Sequence, residues 1–225
     1  MLTKSATAPT SYTTISKKPA VPGVPMKTII LTFVAALVLH FADSCVSAAP
    51  APVPQTGQTT CYDSIGRAMP CVGTGMDGAI KGGVAWPVPR FVDNGNGTVS
   101  DNLTGLLWTK DANAPGPTAC TPATSKSWQQ ALDYAACLNS NSYLGFNDWR
   151  VPSIRELGGL VDASRSNPPL PAGHPFTSVQ SSFYWSGSTY AGYTDSAWVV
   201  VMSDGHMGYV SKTDSYSVWP VRSGQ

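Results

Sequence analysis

The sequence predicts an α+β fold in which two short helices pack on antiparallel strands. Residues 90–108 and 183–222 contain short runs rich in β-branched and aromatic residues, as β-strands do. The two best helix signals, at residues 127–139 and from Ser153 onward, lie between these strand regions. Strands first, helices midway and strands again, without alternation of single strands and helices, is the order expected of an α+β protein.

The first strand region predicts three strands joined by tight turns. Residues 90–93 and 98–101 flank an Asn-Gly-Asn-Gly sequence at 94–97, which favours a hairpin turn. A second turn at 102–105 leads into a third strand at 106–108. We therefore expect an antiparallel unit at the start of the domain.

Residues 127–139 form the stronger of the two helix predictions. Ser127 or Ser125 is suited to cap the N-terminus of this helix. Its apolar side chains recur at helical spacing and form one stripe: Trp128, Ala131, Leu132, Ala135 and Leu138.

The second helix is predicted to begin at Ser153. Ser153 and Glu156 have the spacing of a capping box, in which each side chain bonds the backbone N–H of the other residue. Gly158 and Gly159 weaken the helix, so we expect it to be short or to pack tightly against another element.

The last third of the chain is predicted to consist of strands. They lie at residues 183–186, 197–202, 207–211 and 216–222, after a proline-rich loop at 166–175 and with a turn at 203–206. Aromatic residues are concentrated in this part: Trp185, Tyr190, Tyr193, Trp198, Tyr209, Tyr216 and Trp219. Because strand side chains alternate between two faces, about half of them are expected to be exposed.

Residues 1–48 are predicted to be a leader that ends in a secretory signal. Met26 and Lys27 precede an apolar run at 28–41, and small residues at 46–48 predict cleavage after Ala48. The run is too short for a bilayer, which takes about 20 apolar residues to span. Met26 is the better candidate for the true start, and a longer leader from Met1 is the alternative. We expect no transmembrane span after cleavage.

Cys45 offers a second interpretation of the leader, because bacterial lipoproteins are cleaved just before a lipidated cysteine. The apolar residue usual three positions upstream is missing, and Asp43 is an unfavourable neighbour. We therefore expect Cys45 to leave with the leader and the mature chain to be secreted, periplasmic or at the cell surface.

An exported chain would carry its cysteines as disulfides. Four remain after cleavage: Cys61, Cys71, Cys120 and Cys137. Four cysteines allow three pairings, and their positions around a turn and a helix favour Cys61–Cys71 and Cys120–Cys137. Zinc is a weaker alternative, since there is no C-x-x-C and the histidines His40, His174 and His206 lack ligand spacing. Free reactive thiols are the third interpretation of these cysteines.

The mature chain divides into three parts. Residues 49–60 are rich in Ala, Pro, Gln and Thr and predict an extended linker, 61–89 form a glycine-rich segment stapled by the first disulfide, and 90–225 form the domain. After loss of residues 1–48 the chain has 10 basic and 12 acidic residues. This low charge disfavours a nucleic-acid binder, which would show clustered Lys and Arg.

Three sets of residues resemble a known family. The first is Arg90, Phe91, Asp93, Asn94, Gly97, Thr98, Val99, Asp101, Asn102, Thr104, Gly105, Leu106 and Trp108. The second is Asp148, Trp149, Arg150, Val151, Pro152, Glu156, Leu157, Val161 and Asp162, and the third is Tyr184, Trp185, Ser186, Ala197, Trp198, Val218, Val221 and Arg222. Together they resemble the C-terminal domain of the Lcl-type bacterial collagen-like adhesins over residues 90–222.

The resemblance implies a C-type-lectin-like core shared with formylglycine-generating enzymes, and a secreted or surface module. The collagen-like adhesins bind sulfated polysaccharides through this domain, whereas this chain lacks a collagen stalk and a net positive charge. We expect a non-catalytic binding or adhesion module for polysaccharide. The alternatives are an envelope structural or assembly protein that binds other proteins, and a diverged oxidase. The oxidase is disfavoured, because no cysteine follows Cys137 and Glu156 is the only glutamate.

Two clusters are candidates for ligand binding. Oxygen ligands for calcium could come from Asp93, Asn94, Asn96 and Asp101, although no EF-hand register fits and a hairpin with Asx turns is the favoured interpretation. No other cofactor or metal is predicted. A sugar site could use Asp148 as acceptor, Arg150 as donor, and Trp185, Tyr190 and Trp198 for stacking. The structural alternative, which is favoured, pairs Arg150 with Asp148 or Asp162 and buries Trp149.

Overall fold

The computed structural model describes residues 53–224, so the leader, its cleavage site and Cys45 lie outside the described residues. The strands are β1 (Cys61–Tyr62), β2 (Ala68–Met69), β3 (Phe91–Asp93), β4 (Thr98–Asp101), β5 (Leu106–Thr109), β6 (Phe183–Thr189), β7 (Ser196–Val201), β8 (Met207–Ser211) and β9 (Val221–Ser223). The α-helices are α1 (Asp77–Ile80), α2 (Trp128–Ser140) and α3 (Ile154–Gly159), and short 3-10 turns occur at Thr118–Cys120 and Tyr143–Gly145. The α+β class is confirmed.

The strands form three antiparallel sheets. One contains only β1 and β2, the second has the order β3-β4-β5-β9, and the third has the order β6-β7-β8. The three strands predicted at the start of the domain are all present, and Trp108 of β5 pairs with Val221 of β9. The last strand of the domain, β9, is therefore hydrogen-bonded to β5 near its beginning. The fourth strand of this sheet comes from the opposite end of the chain.

The two larger helices begin where the sequence signals place them. Ser127 caps α2 in a capping box with Gln130, and Ser153 caps α3 in a capping box with Glu156. A Cβ added to Gly158 would lie only 2.2 Å from Met207 Cε, so the Met207 side chain packs directly against this glycine. Tight packing therefore accounts for a glycine in the short helix α3.

The three-stranded sheet lies between two hydrophobic clusters. Trp185 and Val199 share a cluster with buried residues of α2, whereas Tyr184 and Val200 share the other with Leu157 of α3. Because neighbouring residues on a strand point to opposite faces, α2 and α3 cover the two faces of this sheet.

The segment that precedes the domain adds an element that the sequence did not predict, helix α1. Residues 53–57 are held by backbone hydrogen bonds and are not a free linker. Val84 forms backbone hydrogen bonds with Val53 and Gln55, and the Thr56 carbonyl accepts a hydrogen bond from the Ala163 N–H. The described part of the linker is thus fixed against both the glycine-rich segment and the domain.

Both predicted cysteine pairs are disulfide-bonded. Cys61 and Cys71 join the ends of the β1–β2 hairpin region, and Cys120 and Cys137 join the 3-10 turn to α2. Cys61 and Cys120 are buried. The first disulfide belongs to the preceding segment and the second to the domain core.

Candidate functional site

The strongest candidate site is a group of aromatic rings on the three-stranded sheet. Trp198 of β7 pairs with Tyr209 of β8, and both point to the same face as Val200 and Met207. Val200 is buried against the α3 cluster, whereas Tyr209 is 46% exposed. The face that α3 covers near Val200 is therefore open near Tyr209.

Two further tyrosines extend this group of rings. The Tyr190 ring stacks on Tyr209, with ring centroids 4.0 Å apart and planes 14° apart, and meets Trp198 edge-on at 5.1 Å. The Tyr193 ring lies 5.9 Å from Tyr190 and 6.1 Å from Tyr209. We call Tyr190, Tyr193, Trp198 and Tyr209 the aromatic surface.

The loop between β6 and β7 holds two of these rings in place. The Tyr190 N–H donates to the Ser196 carbonyl and the Ser196 N–H donates to the Tyr193 carbonyl, each at 3.0 Å. The Tyr190 ring passes so close to Gly192 that a Cβ there would lie 2.8 Å from it. The loop backbone therefore positions Tyr190 on the sheet and leaves the Tyr193 side chain 60% exposed.

The sequence prediction named Tyr190 and Trp198 for stacking, and the structure brings these two together. The sequence prediction did not include Tyr193 and Tyr209 in the site. The signal for Tyr209 was the pairing of β7 with β8, because directly opposed residues share a face. Tyr193 lies in a loop, where strand alternation gives no indication of its direction.

Trp185, the third predicted stacking residue, lies in the core. It is fully buried in the α2 cluster, and its indole N–H donates to the Lys126 carbonyl at 2.7 Å. It therefore has no free face for a ligand, and we remove it from the candidate site. The bulge between Trp185 and Thr189 changes the register of β6, which separates the buried and exposed parts of this strand.

Arg150 and Asp148 take part in two separate ion pairs. Both terminal nitrogens of Arg150 donate to the Glu156 carboxylate, at 2.7 and 2.6 Å. Asp148 accepts from Arg222 Nε at 2.6 Å, and the Arg222 guanidinium lies 4.0 Å from the centre of the Phe146 ring. The expected pairing of Arg150 with Asp148 or Asp162 is wrong, because the capping-box glutamate of α3 reaches back to Arg150.

These ion pairs leave Arg150 and Asp148 only partly available to a ligand. Their side chains are 40% and 45% exposed. Hydrogen bonding to Glu156 raises the pKa of the Arg150 guanidinium. Burial favours a higher pKa for Glu156, but the hydrogen bonds from Arg150 and Ser153 outweigh it and lower that pKa. Trp149 between them is buried, as the structural interpretation expects.

Two hydrogen bonds join the β6 bulge to the start of α3. The Gly187 N–H donates to the Pro152 carbonyl at 2.8 Å, and Ser188 Oγ accepts from the Ile154 N–H at 3.1 Å. These bonds fix the start of α3 beside the residues that precede Tyr190. The β6 bulge and the N-terminus of α3 are thus held together.

The calcium candidates form the hairpin between β3 and β4. Asp93 accepts from the Gly95 N–H and from Lys110, and Asn96 accepts from Thr98. Asp101 is buried and accepts from Arg90 and from the Leu103 N–H. These oxygens bond to protein donors, the arrangement that the hairpin interpretation predicts. No group of three or more His, Cys, Asp or Glu side chains suited to a metal occurs in residues 53–224, and calcium binding stays a prediction.

Residues 97–222 match the Lcl C-terminal domain family, and the chain belongs to this family. Membership indicates a surface module of the adhesion type. No curated protein matches the chain.

The two disulfides fit a protein from an extracellular or periplasmic compartment. In the described part of the chain, no helix has the length and apolar character needed to cross a membrane.

Proposed function

We propose that this chain is an exported, non-catalytic adhesion module that recognises a polysaccharide through the aromatic surface. The observation that carries the proposal is the cluster of four rings on the open part of the three-stranded sheet. Tyrosine and tryptophan combine an apolar face with a polar group, which suits them to exposed binding surfaces. Sugar rings have the complementary form, with apolar C–H faces and hydroxyl groups at their edges.

The four rings of the aromatic surface hold one another in position before a ligand binds. Tyr190 contacts all three of the other rings, and Tyr209 is stacked on it and also lies 6.1 Å from Trp198. Side chains held by one another lose little further freedom when a ligand binds, so a smaller part of the contact energy is lost to ordering. This packing favours a surface prepared for a ligand over incidental exposure.

The charge of the chain favours a polysaccharide of low charge. After removal of residues 1–48 the chain has two more acidic than basic residues. The cation next to the loop, Lys212, donates to Thr189 Oγ1 and the Thr194 carbonyl, and it lies 4.2 Å from the Trp128 ring. Stacking, rather than attraction between a basic surface and sulfate groups, would therefore supply the affinity.

A glycan array with the disulfide-bonded mature protein tests this function. We expect binding to one or more neutral polysaccharides, weakly dependent on salt, because stacking is not screened as charge pairs are. The array should be repeated with calcium and with a chelator, which tests the hairpin at Asp93–Asp101 at the same time. Binding to none of the polysaccharides under either condition would contradict the proposal.

An envelope protein is the second candidate partner, and one observation favours it. Most of the exposed large apolar side chains in the described chain belong to the segment before the domain: Val53, Tyr62, Ile65, Met69, Val72, Met76, Ile80, Val84 and Val88. A photo-crosslinker at position 72, compared with one at the exposed Asp133 of α2, would distinguish a partner at this segment. Equal crosslinking from both positions would contradict it.

The proposal that the module is non-catalytic has its support in the cysteines. All four cysteines in residues 53–224 are in disulfides, so this part of the chain offers no free thiol pair for oxidase chemistry. Thiol titration and copper analysis of the purified protein test the alternative directly. Titratable thiols together with bound copper would favour the oxidase.

A further inference from the structure

The loop between β6 and β7 depends on one residue for its hydrogen bonds to the rest of the domain. Residues 190–195, which include Tyr190 and Tyr193 of the aromatic surface, are exposed or only partly buried. In residues 53–224, each hydrogen bond that joins this loop to an element other than its two flanking strands comes from Lys212, which follows β8. The first of them runs from the Lys212 N–H to the Asp195 carbonyl, at 2.9 Å.

The Lys212 ammonium holds both ends of the loop. It donates to Thr189 Oγ1 and to the Thr194 carbonyl, each at 2.9 Å. Thr189 is the last residue of β6 and directly precedes Tyr190. Thr194 directly follows Tyr193 in the loop. The two acceptors of this ammonium are therefore the chain neighbours of the two rings that the loop carries.

The Lys212 side chain reaches the loop from the side of α2. Its ammonium lies 4.2 Å from the centre of the Trp128 ring, and the Trp128 backbone N–H donates to the Lys212 carbonyl at 3.1 Å. The indole N–H of Trp128 donates in turn to the Ser186 carbonyl of β6 at 2.9 Å. On β8, Val210 packs against the α2 cluster, whereas the neighbouring Tyr209 points to the opposite face. Lys212 therefore holds the loop from the face opposite to the rings.

We propose that Lys212 is a positioning residue that fixes Tyr190 and Tyr193 in the aromatic surface, and its effect on binding rests on the polysaccharide function proposed above. Hydrogen bonds from a charged donor are stronger than those between neutral groups, so one ammonium can restrain both ends of an exposed loop. The contact with Trp128 adds a cation–π interaction that holds the ammonium in place. Without this restraint the loop would have to be ordered during binding, at a cost to affinity.

Aromatic ¹H–¹³C spectra of the whole purified protein test the positioning without any ligand. Because the Tyr190 ring stacks on Tyr209 at 4.0 Å, its protons carry a ring-current shift, and Tyr209→Ala supplies the unstacked reference. In Lys212→Met, which keeps an unbranched apolar chain but removes the ammonium, the Tyr190 signals should move toward this reference. Lys81→Met, which removes an exposed lysine of the preceding segment, should leave them unchanged. Unmoved Tyr190 signals in Lys212→Met, or equal shifts in both variants, would overturn the proposal.

Binding measurements separate positioning from a general effect on stability. Lys212→Met should weaken binding of the best polysaccharide from the array about threefold to tenfold, the ordering cost of one or two side chains. Lys212→Arg, whose guanidinium has several donors and also stacks on aromatic rings, should restore most of the binding and the Tyr190 signals. Unchanged binding in Lys212→Met, or an equal loss in Lys81→Met, would overturn the proposal. An array without any binding would instead overturn the polysaccharide function, and the spectra alone would then decide the positioning.

Discussion

Trp198 and Tyr209 lie opposite each other on β7 and β8, with ring centroids 6.1 Å apart. Directly opposed residues of an antiparallel pair share one face, so this pairing places both rings on the open part of the sheet. Tyr190 then stacks on Tyr209 from the preceding loop. The candidate site is thus produced by one strand pairing and one loop.

Replacement of Tyr209 by alanine should weaken polysaccharide binding about fivefold to tenfold, the value of one aromatic contact beyond its buried area. The loss should affect binding more than folding, because the side chain is 46% exposed. Isothermal titration calorimetry with the best polysaccharide from the array measures it. Tyr62→Ala is the matched control, since Tyr62 is 50% exposed but lies in the preceding segment. An equal loss in both variants would argue against the aromatic surface.

The turn before β8 should be sensitive to substitution at Gly205. Gly205 has φ +84°, and an added Cβ would lie 2.6 Å from Val161. Gly205→Ala should therefore lower the free energy of unfolding by about 1–2 kcal/mol. Gly208→Ala, in the neighbouring strand with no atom within 4 Å of its Cβ position, should be neutral or slightly stabilising. Urea unfolding of the two variants compares them, and a harmless Gly205→Ala would contradict the turn geometry.

The same turn shows how far sequence could predict the site. The Val201 N–H donates to the His206 carbonyl, so the turn comprises residues 202–205, one residue earlier than predicted. A turn at 203–206 would place Trp198 opposite Ser211 instead of Tyr209. Composition identified the strands and the turn, but it did not fix the register to one residue. Register depends on packing of the whole face, which a local pattern does not contain.

Local signals were sufficient where structure is local. Ser127, one of two candidate caps, and the Ser153–Glu156 capping box correctly predicted the starts of α2 and α3, because the bonds that cap a helix lie within four residues. The partner of Arg150 was wrong and the burial of Trp185 was not foreseen. Glu156 is only six residues from Arg150, but its side chain was assigned to the capping box alone, whereas in the structure it serves both groups. The burial of Trp185 depends on packing against α2 and a bond to Lys126, 59 residues away, which a local pattern does not contain.

The two disulfides should contribute unequally to stability of the domain. Cys120 and Cys137 are 17 residues apart and join a core turn to α2, so Cys120→Ser with Cys137→Ser should cost about 3 kcal/mol. Cys61 and Cys71 join only two-residue strands of the preceding segment, and their removal should leave the main thermal transition nearly unchanged. Circular dichroism melts of both double variants measure this. Equal lowering of the midpoint would show that the segment and domain unfold together.

The Arg150–Glu156 pair should make stability depend on acid pH. The pKa of Glu156 in the folded protein is below its ordinary value of 4.5, so the pair stabilises fully above that pH and the contribution is lost as pH falls through the lowered folded pKa. Glu156→Gln keeps a capping-box residue and removes the charge. At pH 7 it should lower the free energy of unfolding by only about 1 kcal/mol, because Arg150 is partly exposed and solvent screens the pair.

The difference between wild type and Glu156→Gln should therefore shrink as the pH is lowered below 4.5. Urea unfolding at several pH values between neutrality and this acid range measures the difference. Asp133→Asn removes an exposed carboxylate from α2 and should change stability little at any of these pH values, which controls for the general effect of lost negative charge. A wild-type advantage over Glu156→Gln that stays constant across the range would mean that the capping hydrogen bonds, and not the ion pair with Arg150, account for the role of this glutamate.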